Sequence, residues 1–323
     1  MRLHSSLLFL AVLATAAAQT PPAPSQNTPA SPGDYTFRSD TRLVVLPVTV
    51  ADKSGKLIPN LPQTAFKVYE NGAEQPIKSF HREDVPVSLG IIIDNSGSMR
   101  DKRVKVETAS ADLVKASNPQ DQVFVVNFND EAYLDVPFTN DIKKLEQGLA
   151  RIDSRGGTAM RDAISMSIDY MKENGKKDKK VLLVVTDGND TASTGTLEKL
   201  VAKAQKSEVL IYAIGLLNEE ERREARKAKR ALDELTSASG GLAYYPKELA
   251  DVDKIALLVA HEIRNQYTIT YTPTIQALDG SFRQIKVTVS GAGRSAQVRT
   301  RTGYYATPDA PENRSASVTR GSH

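Results

Sequence analysis

The segment "VSLGIIIDNSGSMRD", residues 87–101, runs an apolar stretch straight into Asp94, Ser96 and Ser98, spaced by Asn95 and Gly97. Two later segments carry residues of the same chemistry, Thr158 in "SRGGTAMRDA" and Asp187 in "VLLVVTDGND". Together these are two carboxylates and three hydroxyls, all hard oxygen donors. Such a set suits Mg²⁺, or Mn²⁺ in its place, because an octahedral oxygen site can keep water ligands and needs no full protein cage. Two negative charges balance a divalent ion, and neutral hydroxyls leave it electrophilic. An ion held this way has an appetite for one more carboxylate, supplied by a partner.

Those residues work together only if the fold brings three segments to one edge. Near-continuous Val/Ile/Leu runs at Val87–Ile93, Val123–Phe128, Val181–Thr186 and Val209–Gly215 read as strands covered on both faces of a parallel sheet. Between them the apolar period changes to that of helices, through Val106, Ala109, Leu113 and Ala116, and again through Met160, Ala163, Ile164, Ile168 and Met171. Ala132 to Phe138 is expected as an antiparallel edge strand, hairpinned at "NDE". Strands alternating with helices predict a doubly wound α/β domain over residues 85–265. In such sheets ligands bind beyond the carboxyl ends of the strands, where Asp94 and Asp187 fall and Thr158 opens a helix.

The flanks have a different rhythm. Residues 35–84 alternate in "RLVVLPVTVAD" and form two short runs around Asn71-Gly72, giving about three strands; residues 266–307 repeat the pattern through "QYTITYTP", "FRQIKVTVS" and "SAQVRTRTGYYA". Neither flank has enough strands to cover two faces alone. Both are therefore expected to pair into one small antiparallel β-sandwich, with the α/β domain inserted between them.

The combination of "DNSGS" with a downstream "GGT" and "TDG" resembles the metal-ion-dependent adhesion site of von Willebrand factor A (VWA) domains, and the arrangement is similar to secreted bacterial VWA-related proteins. The resemblance covers the central half of the chain. It implies a Rossmann-like fold in which Ser96 and Ser98 ligate a divalent cation through their hydroxyls. It implies that Asp94 and Asp187 act directly or through water, and that Thr158 joins when a partner is engaged. It gives Asn95 no role. The function implied is non-enzymatic: a protein ligand supplies an Asp or Glu to the metal.

The same residues admit other readings. Asp94 and the serines could simply cap the next helix or close a turn. A phosphoryl-transfer site of the haloacid dehalogenase type expects a second aspartate two residues after the first, where this chain has Ser96. Around His261 the i+4 partner is Asn265, so the zinc-protease helix motif fails. A metal-assisted hydrolase remains the enzymatic alternative, and a structural scaffold with a vacant site the third. The run "NEEERREARKAKRALDEL" reads as a solvated helix laced by Glu219–Arg223 and Glu224–Lys227, with a partner surface as the sharper alternative.

Composition narrows the rest. The 323 residues contain no cysteine, which excludes disulfides and thiolate chemistry, and a net charge of +3 gives no case for nucleic acid. Residues 1–18 have the layout of a cleaved secretory signal, 19–34 form a proline-rich linker, and 308–323 are a short polar tail expected to be disordered. The protein is expected to be secreted or periplasmic, with no membrane span after signal cleavage.

Overall fold

The computed structural model describes residues 43–82, 85–116, 118–150, 154–217, 222–291 and 296–307. The expected signal, linker and tail, the start of the first β segment, and Glu219 of the charged run lie outside these residues. The first flank gives β1 (Val44–Ala51), β2 (Phe66–Glu70), β3 (Ala73–Gln75) and β4 (Ile77–His81). The central region gives β5 (Val87–Asp94), α1 (Arg103–Lys115), β6 (Gln122–Phe128), β7 (Ala132–Thr139), α2 (Ile142–Leu149), α3 (Met160–Asn174), β8 (Lys179–Thr186), α4 (Leu197–Lys206), β9 (Val209–Gly215), α5 (Arg222–Ser239), β10 (Ala243–Tyr244) and α6 (Val252–Arg264). The second flank gives β11 (Tyr267–Tyr271), β12 (Phe282–Val289), β13 (Gln297–Arg299) and β14 (Gly303–Tyr305).

The central sheet has the order β10-β9-β8-β5-β6-β7, parallel except for β7, which runs antiparallel at the edge. The chain leaves β5 to β6 on one side and returns to β8 on the other, so the order reverses between β5 and β8. That reversal opens a crevice at the carboxyl ends of these two strands. Alternation along β5 divides the core between two layers. Leu89, Ile91 and Ile93 pack with Val106 and Leu113 of α1 and Val259 of α6, whereas Ile92 packs with Phe124, with Ile164 and Ile168 of α3, and with Leu232 of α5. Gly90 is required on the second face, because a Cβ there would lie 2.3 Å from the Phe124 ring.

The flanks form two four-stranded sheets, ordered β13-β1-β11-β4 and β14-β12-β2-β3. Each sheet takes two strands from either side of the α/β insertion, so neither flank closes a sheet by itself. A shared apolar core joins the sheets, including Leu46, Val48, Val68, Ile269 and Val287, and Phe66 of one sheet lies against Phe80 and Tyr267 of the other. The first flank has four strands rather than about three. Asn71 and Gly72 take positive φ in the β2–β3 turn, and Pro76, which has no N–H to donate, separates β3 from β4, which joins the other sheet.

The α/β body and the sandwich meet at Glu262 of α6, whose carboxylate is buried. It accepts hydrogen bonds from Tyr212 of β9 at 2.8 Å and Tyr244 of β10 at 3.0 Å, and pairs with Arg299 of β13 at 2.8 Å. Thr49 of β1 reaches the same carboxylate at 3.3 Å. Burial, with the Glu262 charge adding to it, holds the Tyr212 hydroxyl well above its ordinary pKa, so it stays a donor.

Candidate metal centre

Asp94 is the last residue of β5 and Asp187 follows the last residue of β8, so the two carboxylates flank the crevice between adjacent strands. Asp94 is fully buried and held at both oxygens. Its Oδ1 accepts the Ser96 amide at 2.8 Å and its Oδ2 accepts the Thr186 hydroxyl at 2.6 Å. Burial pushes the Asp94 carboxyl up to about 6, with the Asp187 charge adding to the shift and the Ser96 and Thr186 bonds opposing it.

A short helical turn at Gly97–Met99 carries the serines around the crevice, leaving Ser96 buried and Ser98 at the surface. The Ser96 and Ser98 hydroxyl oxygens lie 3.2 Å apart, and the Ser98 hydroxyl donates to Asp187 Oδ1 at 2.8 Å. The other Asp187 oxygen takes the Lys102 ammonium at 2.5 Å. Three oxygens on two loops thus form a continuous run beside the buried Asp94.

That spacing is a test of fit. Oxygens about 2.1 Å from an octahedral Mg²⁺ sit about 3 Å from their neighbours. The observed separations of 3.2 and 2.8 Å are hydrogen bonds whose length an octahedral edge would also accept, and the donors are hard oxygens throughout. Among the described residues no three His, Cys, Asp or Glu side chains gather to hold a metal. A site here therefore rests on hydroxyls beside two carboxylates.

Thr158 reaches the same edge differently. Its loop touches the serine loop through the Gly97 amide and the Gly156 carbonyl at 3.3 Å, and it is buried. Its backbone is clamped: the amide donates to Thr191 Oγ1 at 3.0 Å, and its carbonyl accepts from Thr191 and Ala192. No hydrogen bond among the described residues joins the Thr158 hydroxyl to Asp94, Ser96, Ser98 or Asp187.

Several supporting residues are invisible to motif reading. Asn95 accepts at its side-chain oxygen from Arg103 Nε at 3.2 Å and from Ser154 at 3.3 Å, while its backbone bonds Phe128 and Arg155. Asp130 accepts the Gly157 amide at 2.7 Å and so fixes the glycine pair ahead of Thr158. Asp190 accepts the Arg161 amide at 2.7 Å and pairs with its guanidinium at 3.0 Å, tying the loop after β8 to the start of α3. Asp130 and Asp190 both close polar strand-end stretches, "VVNFND" and "TDGND", which is the signal the sequence offers for them. Of the four histidines, His81 and His261 are described, and neither joins these bonds. In the charged run, Glu224 pairs with Lys227 at 2.9 Å, and Asn189 donates to Glu224 at 3.0 Å, bringing the start of α5 beside the loop after Asp187.

A family profile described as "von Willebrand factor type A domain" matches residues 89–189, a span that holds Asp94, Ser96, Ser98, Thr158 and Asp187. With the doubly wound sheet and its switch-point crevice, this establishes that the chain contains a VWA domain; domains of this class are typically protein-interaction modules. Mouse integrin alpha-11 is 30% identical over 146 residues, which is 42% of this chain and 12% of the integrin. Human integrin alpha-11 is 29% identical over a stretch of the same length. The chain thus matches only 12% of the length of either relative. The solved structure of a von Willebrand factor type A protein from Catenulispora acidiphila aligns over 82% of this chain and 75% of that one, at 13% identity and a TM-score of 0.48. The vWF domain of the pili tip protein Mfa5 from Porphyromonas gingivalis aligns over 56% and 97%, at 14% identity and a TM-score of 0.46.

Proposed function

We propose that this protein is a non-enzymatic adhesion module that binds a protein partner through a Mg²⁺ or Mn²⁺ ion at the carboxyl edge of its central sheet. Ser96, Ser98, Asp94 and Asp187 would hold the ion, directly or through water, and Thr158 would join them on engagement. The ion, when bound, supplies a Lewis-acidic position for the partner's Asp or Glu. The observation that carries this reading is the run Ser96–Ser98–Asp187, spaced at 3.2 and 2.8 Å beside a carboxylate locked by Ser96 and Thr186.

The chain's own residues divide the work. Thr186 and the Ser96 amide keep Asp94 in one orientation, so no rotamer search is needed on binding. Ser98 lies at the surface, where an approaching carboxylate meets it first. What supports a binding role is that Asp187 already holds a cation on one oxygen, the Lys102 ammonium at 2.5 Å, so the site is built to keep positive charge.

The exported location rests on the signal-like start of the sequence. No helix among the described residues is long and apolar enough to cross a membrane.

The test is calorimetric titration of Mg²⁺ and Mn²⁺ into the wild type and Asp94→Ala. Uptake by the wild type and loss in the variant is expected, with thermal stabilisation on the order of 3 kcal/mol at a hundredfold excess over Kd. Identical uptake by both proteins, or none by either, refutes the metal centre.

A further inference from the structure

Lys102 occupies an unusual place for a lysine. It immediately precedes α1, where the positive end of the helix dipole disfavours a cation, and its side chain caps nothing there. Its backbone is nonetheless fixed, the amide donating to the Met99 carbonyl at 2.9 Å and the carbonyl accepting from Lys105 and Val106 at 3.1 Å each. The turn that delivers Ser98 therefore delivers this ammonium as well, and both land on one carboxylate: Ser98 on Asp187 Oδ1 and Lys102 on Oδ2.

The environment makes that contact consequential. The Asp187 side chain is 1% exposed, whereas the Lys102 side chain is 28% exposed, so the carboxylate is fixed inside while the ammonium keeps a path to solvent. A partly buried ion pair is screened less than a surface one, and a positive charge on one oxygen weakens the attraction of the same carboxylate for a second cation. Arg100 and Arg103, which lie on either side of Lys102, are directed elsewhere, Arg100 to the Ser154 carbonyl and Arg103 to Asn95, Asn127 and the Leu149 carbonyl. Lysine also suits a displaceable role, since its charge is compact and its four-carbon stem is flexible.

We infer that Lys102 is a tethered counter-ion that competes with the divalent cation for Asp187 and so sets the metal concentration at which the site loads. This inference rests on the metal-binding reading of the crevice. Lys102 is a positioning and affinity-setting residue, not a ligand. By this account the chain trades metal affinity for a crevice whose inner carboxylate always has a positive partner, and loading becomes an exchange of one cation for another.

The experiment is calorimetric titration of Mg²⁺ and Mn²⁺ into the wild type, Lys102→Met and Lys102→Arg, with thermal unfolding in chelator as a second readout. Lys102→Met should bind both ions at least about tenfold more tightly than the wild type. It should also melt at a lower temperature in chelator, with the gap closing at saturating Mg²⁺. Lys102→Arg keeps the charge and should bind no more tightly than the wild type. Equal or weaker binding by a folded Lys102→Met, or tighter binding by Lys102→Arg to the same degree as by Lys102→Met, overturns the competition while leaving the metal centre standing. Absence of binding by the wild type and both variants overturns the metal centre, and the competition with it.

Discussion

The guanidinium of Arg103, fully buried at the start of α1, donates from Nε to the side-chain oxygen of Asn95 at 3.2 Å. The same group reaches Asn127 on β6 and the Leu149 carbonyl at the end of α2, each at 2.9 Å. One buried cation thus fastens the loop after β5 to two other elements, and burial lowers its pKa while the charges of Glu107, Asp135 and Asp94 oppose that shift. Arg103→Met should take the shared donor from these three acceptors, leaving the Asn95 side-chain oxygen to Ser154, and cost on the order of 3 kcal/mol in urea unfolding. Hydrogen exchange at the Ser96 amide, which bonds Asp94, should accelerate beyond what the global loss explains. Unchanged local exchange would show that the loop holds itself.

Asp94 gives the protein a pH dependence with a definite sign. Its folded pKa of about 6 lies above the ordinary 3.8, so between these values the folded state binds more protons than the unfolded one. Stability in chelator should therefore fall as pH rises from about 4 through 6 by this group's contribution. The metal needs the carboxylate, so proton and ion compete: apparent Mg²⁺ affinity should drop about tenfold per pH unit below 6. Titrations at pH 5, 6 and 7 read this directly, and a flat profile would mean that Asp94 is not linked to the ion.

Strand ends and oxygen donors were readable from sequence because both are local. The apolar runs of β5, β6, β8 and β9 stop at polar residues, and a parallel sheet puts those stops on one edge. Helices α2, α4 and α6, of eight, ten and thirteen residues, were not read from the sequence although each buries one apolar face. What the motif could not convey is what each side chain meets across the fold. Asn95 looked like a spacer until Arg103 and Ser154 converged on it, and nothing in the motif marks Lys102. Asp130 and Gly157 are 27 positions apart, and only the β6–β7 hairpin brings them together. The pairing of the flanks was inferable from their shortage of strands. The division of β3 and β4 between two sheets at Pro76 required the register.

Glu262 and Arg299 couple the two β-rich ends of the chain to the α/β body. The Glu262 side chain is 3% exposed, and removing its charge leaves Arg299 paired with nothing equivalent. Glu262→Gln should destabilise by about 3 kcal/mol, because a buried ion pair that loses one partner keeps the desolvation cost of the other. Glu262→Leu combined with Arg299→Met should recover part of that loss. Denaturant unfolding of the wild type, Glu262→Leu, Arg299→Met and the double variant forms a double-mutant cycle, and additive losses would show that the pair is not a coupled unit.

Thr158 and Ser98 should separate under mutation although the same motif names both. Ser98 lies in the run of oxygens, 3.2 Å from Ser96 and 2.8 Å from Asp187, whereas the Thr158 hydroxyl bonds none of these. Its loop is held by backbone bonds to Thr191 and Ala192 and by Asp130 on Gly157, none of which needs the side chain. Thr158→Ala should therefore leave Mg²⁺ affinity within about threefold of the wild type, a change of under about 1 kcal/mol. Ser98→Ala should weaken affinity by about tenfold or more, since it removes a ligand and a bond that orients Asp187. Calorimetry on the two variants decides the matter: equal losses would place the Thr158 hydroxyl in the resting coordination shell.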